Sequence, residues 1–225
     1  MAERERRKAA SDVVLSKQRV VAEAVRLADR DGVEGLSMRR LAAELDAGAM
    51  SLYHYVANKE ELLDAMIDVV FEEIELPSLE LDWQSAMRER ATSVRQALAR
   101  HPWSIGVLQS RTTPGPVSLR HSEAVTACLR QAGFSVVMAT HANWLFDSYV
   151  YGFALQEVTL PFDTADELTN MVTEVYLPQL PPDEFPYLNE SAAALGAAGY
   201  VPAEEFAFGL DLVLGALEPL RDTTG

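Results

Sequence analysis

The sequence predicts an all-α protein, with an N-terminal three-helix domain containing a helix-turn-helix joined to a larger helical domain. Three observations carry this reading. Apolar residues recur at helical spacing almost throughout, as in Val20, Val21, Ala24, Leu27 and Ala28 and again in Leu62, Leu63, Met66, Ile67 and Val70. No apolar and polar alternation stands beside a hairpin turn signal, so little or no sheet is expected. The charge is segregated: residues 1–59 carry 11 basic and 9 acidic groups, whereas residues 60–225 carry 8 basic and 25 acidic. Only the first part can approach nucleic acid without strong repulsion.

Taken in order, the chain starts with an arm, residues 1–15, whose basic run Arg4 to Lys8 suits a phosphate-contacting arm and a solvating tail equally. Helices are expected from Ser16 to Asp31, Ser37 to Leu45, Ala49 to Tyr55 and Asn58 to Leu76, where Pro77 and Ser78 interrupt the pattern. Further helices are expected from Asp82 to Arg100, Pro116 to Ala132, Ser135 to Thr159, Thr164 to Tyr176 and Ala203 to Leu220. Thr112 to Pro116 and Pro178 to Pro186 read as turn-rich or extended, because proline fixes its own φ and restricts the residue before it. Ser191 to Gly199 suits either a short helix or a loop. The resulting division is an arm over 1–15, a small helical domain over 16–62 and a larger helical domain over 63–225.

Composition narrows the classes. A chain of 225 residues with 48% apolar and 24% charged residues builds a real core. One cysteine, Cys128, leaves no internal disulfide, and four scattered histidines make no zinc pattern, so no metal and no cofactor are expected. The N-terminus lacks the apolar stretch of a secretion signal and no run is long enough to span a membrane; a reducing, cytoplasmic setting follows. No nucleophile with a base, paired-carboxylate site or phosphate-binding glycine loop appears at a recognisable spacing, which argues against an enzyme. Glu60-Glu61 and Glu72-Glu73 read as solvated helix faces, and His101 and His121 as surface.

The informative stretch runs from Gly35 to Tyr55. Ser37 can cap a helix whose apolar face is Leu41, Ala42 and Leu45; Asp46-Ala47-Gly48 makes a short turn; Leu52 anchors a second helix from which Met50, Ser51, Tyr53 and His54 project. Asn58 with Glu61 three residues on has the form of a capping box, leaving Lys59 and free N–H groups exposed to a phosphate.

These residues carry a resemblance. From Ala22 to Met66 the chain resembles the DNA-binding domain of the tetracycline-repressor (TetR) family, in Gly32-Val33-Glu34-Gly35-Leu36-Ser37, Arg39-Arg40-Leu41-Ala42 and Leu52-Tyr53-His54-Tyr55-Val56-Ala57-Asn58-Lys59-Glu60-Glu61-Leu62-Leu63. One departure is Asp46-Ala47 where the family often has Gly-Val; Asp tolerates the left-handed conformation, so the turn is expected to survive. The resemblance implies Arg39, Met50, Ser51, Tyr53, His54 and Lys59 as DNA contacts, with Met38 and Ala49 nearby. Tyr53 and Lys59 suit the phosphate backbone and the other four suit base edges.

The stretches Arg111 to Ser135 and Asp147 to Gln156 are similar to the C-terminal domain of the tetracycline-repressor branch. There a histidine four residues before the matching arginine holds drug-bound magnesium; here that position is Val107, and either Gln156 or the neighbouring Glu157 stands where an acidic residue helps hold the metal. Magnesium-tetracycline is therefore not the expected ligand. The expected pocket is largely apolar, drawn from Trp103, Val107, Leu108, Met138, Trp144 and Phe153, with Gln109, Arg111, His141 or Asn143 as polar handles. The stripe Phe206, Leu210, Val213, Leu214 and Leu217, beside Gly209 and Gly215, is the expected dimer contact. The functional expectation is a bacterial transcriptional regulator, a repressor that binds a palindromic operator as a homodimer and is released by a small-molecule inducer. The alternative is a small-molecule carrier or interaction protein of the same fold without operator binding.

Overall fold

The computed structural model describes residues 15–110, 115–162 and 164–221. The expected arm lies almost wholly outside them, as does Arg111. Among the described residues there are helices and turns and no strand. The helices are α1 (Lys17–Asp31), α2 (Met38–Glu44), α3 (Ala49–Leu52), α4 (Lys59–Glu72), α5 (Trp83–Arg100), α6 (Trp103–Ser110), α7 (Pro116–Gln131), α8 (Val136–Val158), α9 (Ala165–Met171), α10 (Pro186–Ala198) and α11 (Pro202–Leu217). The chain divides into two compact units, Met1–Ala139 and Thr140–Gly225.

In the first unit, side-chain caps set where helices start. Ser16 accepts from the Arg19 N–H, Ser37 from Arg40, Asn58 from Glu61 and Asp82 from Ser85, each satisfying a backbone donor that the first turn leaves free. Glu61 does not complete the capping box as expected. One of its oxygens takes the Ala57 N–H at 2.7 Å and the other pairs with Lys17 at 2.8 Å, which ties the start of α4 to the start of α1. Helix α4 buries Leu62, Met66, Ile67, Val70 and Phe71 and packs against α1, α5, α6 and α7. It stops at Glu72, short of the expected Leu76: Glu73 and Ile74 tighten onto the carbonyls three residues back, and the Glu75 N–H donates to Ser93 Oγ at 2.9 Å instead of continuing the helix.

Other departures have equally local causes. Helix α6, the eight residues that follow Pro102, is not visible in the periodicity because Trp103, Ile105, Val107 and Leu108 leave no polar face to read. His101 and His121, expected at the surface, are buried. The segment from Pro178 to Pro186 is folded rather than extended: a 3-10 turn spans Leu177–Gln179, and the Pro181 carbonyl accepts from Glu184 and Phe185. Most of the small-residue run after it is helical, within α10, which ends at Gly199 with φ 75°.

In the second unit α8 and α11 are locked together by aromatics. The Tyr149 hydroxyl donates to the Phe206 carbonyl at 2.7 Å, the two rings stack with centroids 5.6 Å apart, and Phe153 meets Phe206 edge-on at 5.1 Å. Gly209 is required by this approach, since a Cβ there would lie 2.8 Å and 2.9 Å from Tyr149 ring carbons. Gly209→Ala is expected to destabilise the protein by about 1–3 kcal/mol through overpacking, read as a lowered denaturant midpoint with unchanged m-value.

Candidate functional site

The helix-turn-helix forms as its residues dictate. Helix α2 ends at Glu44 with Leu45 as its C-cap, and Asp46 takes the left-handed conformation with φ 51°, so the turn survives without the glycine usual there. The chain re-enters helix at Ala49 and α3 is short, with Tyr53 to Tyr55 in a turn rather than in the helix. Leu52 is fully buried and fixes the rotation of α3. That rotation puts Met50, at 77% exposure, with Ser51, Tyr53 and His54 on the outer side. Arg39 on α2 and Lys59 at the first position of α4 are exposed too, so the structure leaves all six expected DNA contacts open to solvent.

Charge pairing separates the bases of this region into two groups. Arg30 bonds Glu44 at 2.7 Å and Asp31 at 2.9 Å, Arg40 bonds Asp31 at 2.6 Å, and Arg26 pairs with Glu23 and, at 3.5 Å, with Glu44. These exposed pairs are each worth little in stability, but they occupy the guanidinium groups that hold α1 to α2. The hydrogen bonds from Arg30 drive the Glu44 carboxyl below its ordinary range. Arg39 and Lys59 form no such pair among the described residues.

The pocket and dimer candidates are placed less compactly. Trp103 and Val107 are buried on α6 and line an open cleft of about 610 Å³ with Asp29, Glu34 and Pro102. Leu108 is half-buried beside them; nothing is described of the Gln109 side chain. Met138, Asn143 and Phe153 are half-buried on α8, where Phe153 is occupied by its contact with Phe206. His141 is exposed and Trp144 is 66% exposed, so both lie on the outer face of the helix instead of in a pocket. On α11 the residues expected to meet a partner, Phe206, Leu210, Leu214 and Leu217, are buried within the chain and Val213 is half-buried. The exposed face carries Phe208 at 65% and Leu212 at 60%.

Two sequence families match along this architecture. Residues 20–66 match the bacterial regulatory proteins of the tetR family, and residues 76–220 match the tetracyclin repressor-like C-terminal domain. The chain belongs to the TetR family. It is 37% identical over 217 residues to the HTH-type transcriptional repressor DrrR1 of Streptomyces coeruleorubidus, a match covering 92% of this chain and 78% of that one. With the class C tetracycline repressor of Escherichia coli it shares 29% identity over 217 residues, 93% of this chain and 94% of that one. Among solved structures, the TetR-family protein ActR of Streptomyces coelicolor in complex with actinorhodin matches with a TM-score of 0.78 at 29% identity, over 93% of this chain and all of that one. The protein is thus a TetR-family transcriptional regulator with an N-terminal helix-turn-helix and a helical C-terminal domain of the tetracyclin repressor-like kind.

In this TetR-family fold, sequence reading misses a polar node at the end of α4. His101 Nδ1 lies 2.7 Å from Asp29 Oδ1 of α1, and its Nε2 lies 3.1 Å from Glu73 just past α4. Each ring nitrogen therefore faces a carboxylate oxygen. The Trp103 indole N–H also donates to Asp29, at 2.6 Å, and Arg100 donates to Glu73 at 2.7 and 2.9 Å. The node therefore ties the first helix of the DNA-binding domain to the far end of α4 and to α5 and α6. Burial opposes ionisation of Glu73, but hydrogen bonds from Arg100 and His101 outweigh it and hold the carboxyl below its ordinary range. A depressed acid contributes stability that is present above its unfolded pKa, about 4.3, and lost as pH falls through the lower folded value. Wild type is expected to exceed Glu73→Gln in stability by no more than about 1 kcal/mol at neutral pH, after discounting for exposure. The gap should close on acidification below that range in paired denaturant titrations; a gap independent of pH would remove the ionic account.

Proposed function

We propose that this regulator binds a palindromic operator as a homodimer through residues 16–62, in the cytoplasm, and is released when a largely apolar small molecule binds within residues 63–225. The single observation that carries the operator reading is the set Arg39, Met50, Ser51, Tyr53, His54 and Lys59, all exposed around the buried Leu52 anchor. Tyr53 and Lys59 suit phosphate oxygens, the latter at the open N-terminus of α4, while Arg39, Met50, Ser51 and His54 suit base edges in the major groove. Support for a second copy comes from the outer faces of α8 and α11. Trp144 and Leu155 on one and Phe208 and Leu212 on the other are exposed large apolar side chains on neighbouring helices. Two such helix pairs meeting about a twofold axis bury them and set two recognition helices on successive grooves.

Release follows from the position of α4. It packs on α1 and on α5, α6 and α7, so a ligand that changes its tilt changes the separation of the two helix-turn-helix units. The ligand must bind the DNA-incompetent arrangement more tightly, because equal affinity for both shifts nothing. The structure of ActR with actinorhodin supports a small organic ligand. Val107, buried on α6, offers no atom to a metal, which speaks against the magnesium-drug complex. The test is selection of bound fragments from random and genomic DNA, followed by affinity against salt. An enriched palindrome with log affinity falling steeply in log salt is expected. Weak binding indifferent to sequence would favour a carrier of the same fold.

A further inference from the structure

The open cleft of about 610 Å³ lies wholly within the first compact unit, and its two walls have different origins. One wall is the end of α1 and the 3-10 turn after it, with Asp29, Val33 and Glu34. That turn, Val33–Gly35, leads directly into α2, so this wall moves with the helix-turn-helix. The other wall is α6 of the larger domain, with Trp103, Gly106 and Val107. A space of this size takes a small organic molecule.

Gly106 keeps the space open. It stands inside α6, where glycine is among the poorest helix formers, its φ lies outside the left-handed region, and a Cβ there would meet nothing within 4 Å. Neither backbone geometry nor packing calls for glycine at this position, whereas room in the cleft does. The polar lining is acidic. Asp29 Oδ1 accepts from the Trp103 indole N–H at 2.6 Å and faces His101 Nδ1 at 2.7 Å, which fixes the carboxylate and leaves Oδ2 without a partner among the described residues. Glu34 forms no hydrogen bond or ion pair among them. No Lys, Arg or His lines the cleft among the described residues, so its field favours a cation. Trp103 and Val107, 8% and 7% exposed, offer apolar surface to the body of the same ligand.

We infer that the cleft between α1 and α6 binds a small organic cation with a flat apolar body, and that filling it changes operator affinity. The site goes beyond the inducer reading, which confines its ligand to residues 63–225, because one wall here belongs to the DNA-binding domain. A ligand wedged against both walls favours whichever spacing of α1 and α6 fits it, and the helix-turn-helix follows α1. The coupling, though not the binding, rests on the reading that residues 16–62 hold operator DNA.

Tryptamine, tryptophol and indoleacetate share one ring system and differ in charge, and calorimetry on the full-length protein compares them. Tryptamine is expected to bind at least about tenfold more tightly than neutral tryptophol, and indoleacetate more weakly than either. Glu34→Gln should weaken tryptamine about three- to tenfold and leave tryptophol unchanged. Gly106→Leu fills the cleft and should abolish binding of both while melting no lower than wild type, since leucine is the better helix former and its Cβ meets no neighbour. If that variant does melt lower, Glu34→Gln carries the test, being exposed and outside the core. At saturating tryptamine, operator affinity should change by at least about threefold, and operator DNA should change tryptamine affinity by the same factor. The inference is overturned by no binding of tryptamine, by affinities that ignore charge, by tryptamine binding undiminished in a folded Gly106→Leu protein, or by operator affinity indifferent to tryptamine. A protein that selects a palindrome yet binds no tryptamine sinks only this inference. One that binds tryptamine in the cleft but selects no DNA sinks the operator reading, and the coupling with it, and leaves the site standing.

Discussion

Alanine at Tyr53 or at His54 is expected to lower operator affinity by about ten- to a hundredfold for each contact removed from a half-site, which two half-sites compound to effective loss of binding. Both side chains are exposed while Leu52 between them and α2 is fully buried, so neither substitution touches the core and the dimer should stay intact. The two should differ in kind. His54→Ala, at a base-edge position, relaxes sequence preference, whereas Tyr53→Ala, at a backbone position, weakens all sequences alike. Lys59→Ala should do the latter and also reduce the salt slope by about 1 per subunit. Electrophoretic mobility shifts over a salt series, with sedimentation to confirm the dimer, decide the matter. A variant that binds its operator at wild-type affinity would remove that residue from the interface.

The second large effect is expected on α11. Leu212→Glu places a carboxylate on the exposed face beside Phe208, and in a twofold dimer it faces its own copy in a desolvated patch. Such a change at the centre of an interface costs about 2–4 kcal/mol, raising the dimer dissociation constant by roughly thirty- to a thousandfold. Operator affinity should fall with it, since one half-site alone holds a monomer weakly. Leu79→Glu is the matching control, at 56% exposure in the link between α4 and α5, and should leave the dimer unchanged. Sedimentation velocity across a concentration series reads both. A Leu212→Glu protein that stays dimeric at nanomolar concentration would move the interface elsewhere.

The DNA-binding domain was legible because its determinants are local. Ser16, Ser37 and Asn58 cap helices within three residues of themselves, Asp46 tolerates the left-handed turn by its own chemistry, and the Leu41, Leu45 and Leu52 pattern orients two short helices with little help from elsewhere. The all-helical class and the confinement of net acidity to the later residues follow from periodicity and counting. What periodicity could not supply is the choice between apolar faces. Helix α8 is apolar nearly all round, so nothing in its pattern distinguishes Phe146, which is buried, from Trp144, which is not. On α11 both Phe206 and Phe208 are available to face inward, and the Tyr149 hydroxyl on the Phe206 carbonyl selects the first.

Burial of polar groups was likewise decided by tertiary structure. His101 reaches Asp29 across 72 positions of sequence, and His121 reaches Phe71 on a different helix. Helix spacing alone assigns such residues to the solvent, where a charged or polar side chain is cheapest to keep. The sequence by itself therefore determined what is set within one or two helical turns: most of the helices, their side-chain N-caps and the helix-turn-helix. The tertiary structure decided which side chains are taken out of water, because burial depends on neighbours far away in the chain. It is that removal from water that leaves Arg90 Nε and His121 Nδ1 without a hydrogen-bond partner among the described residues.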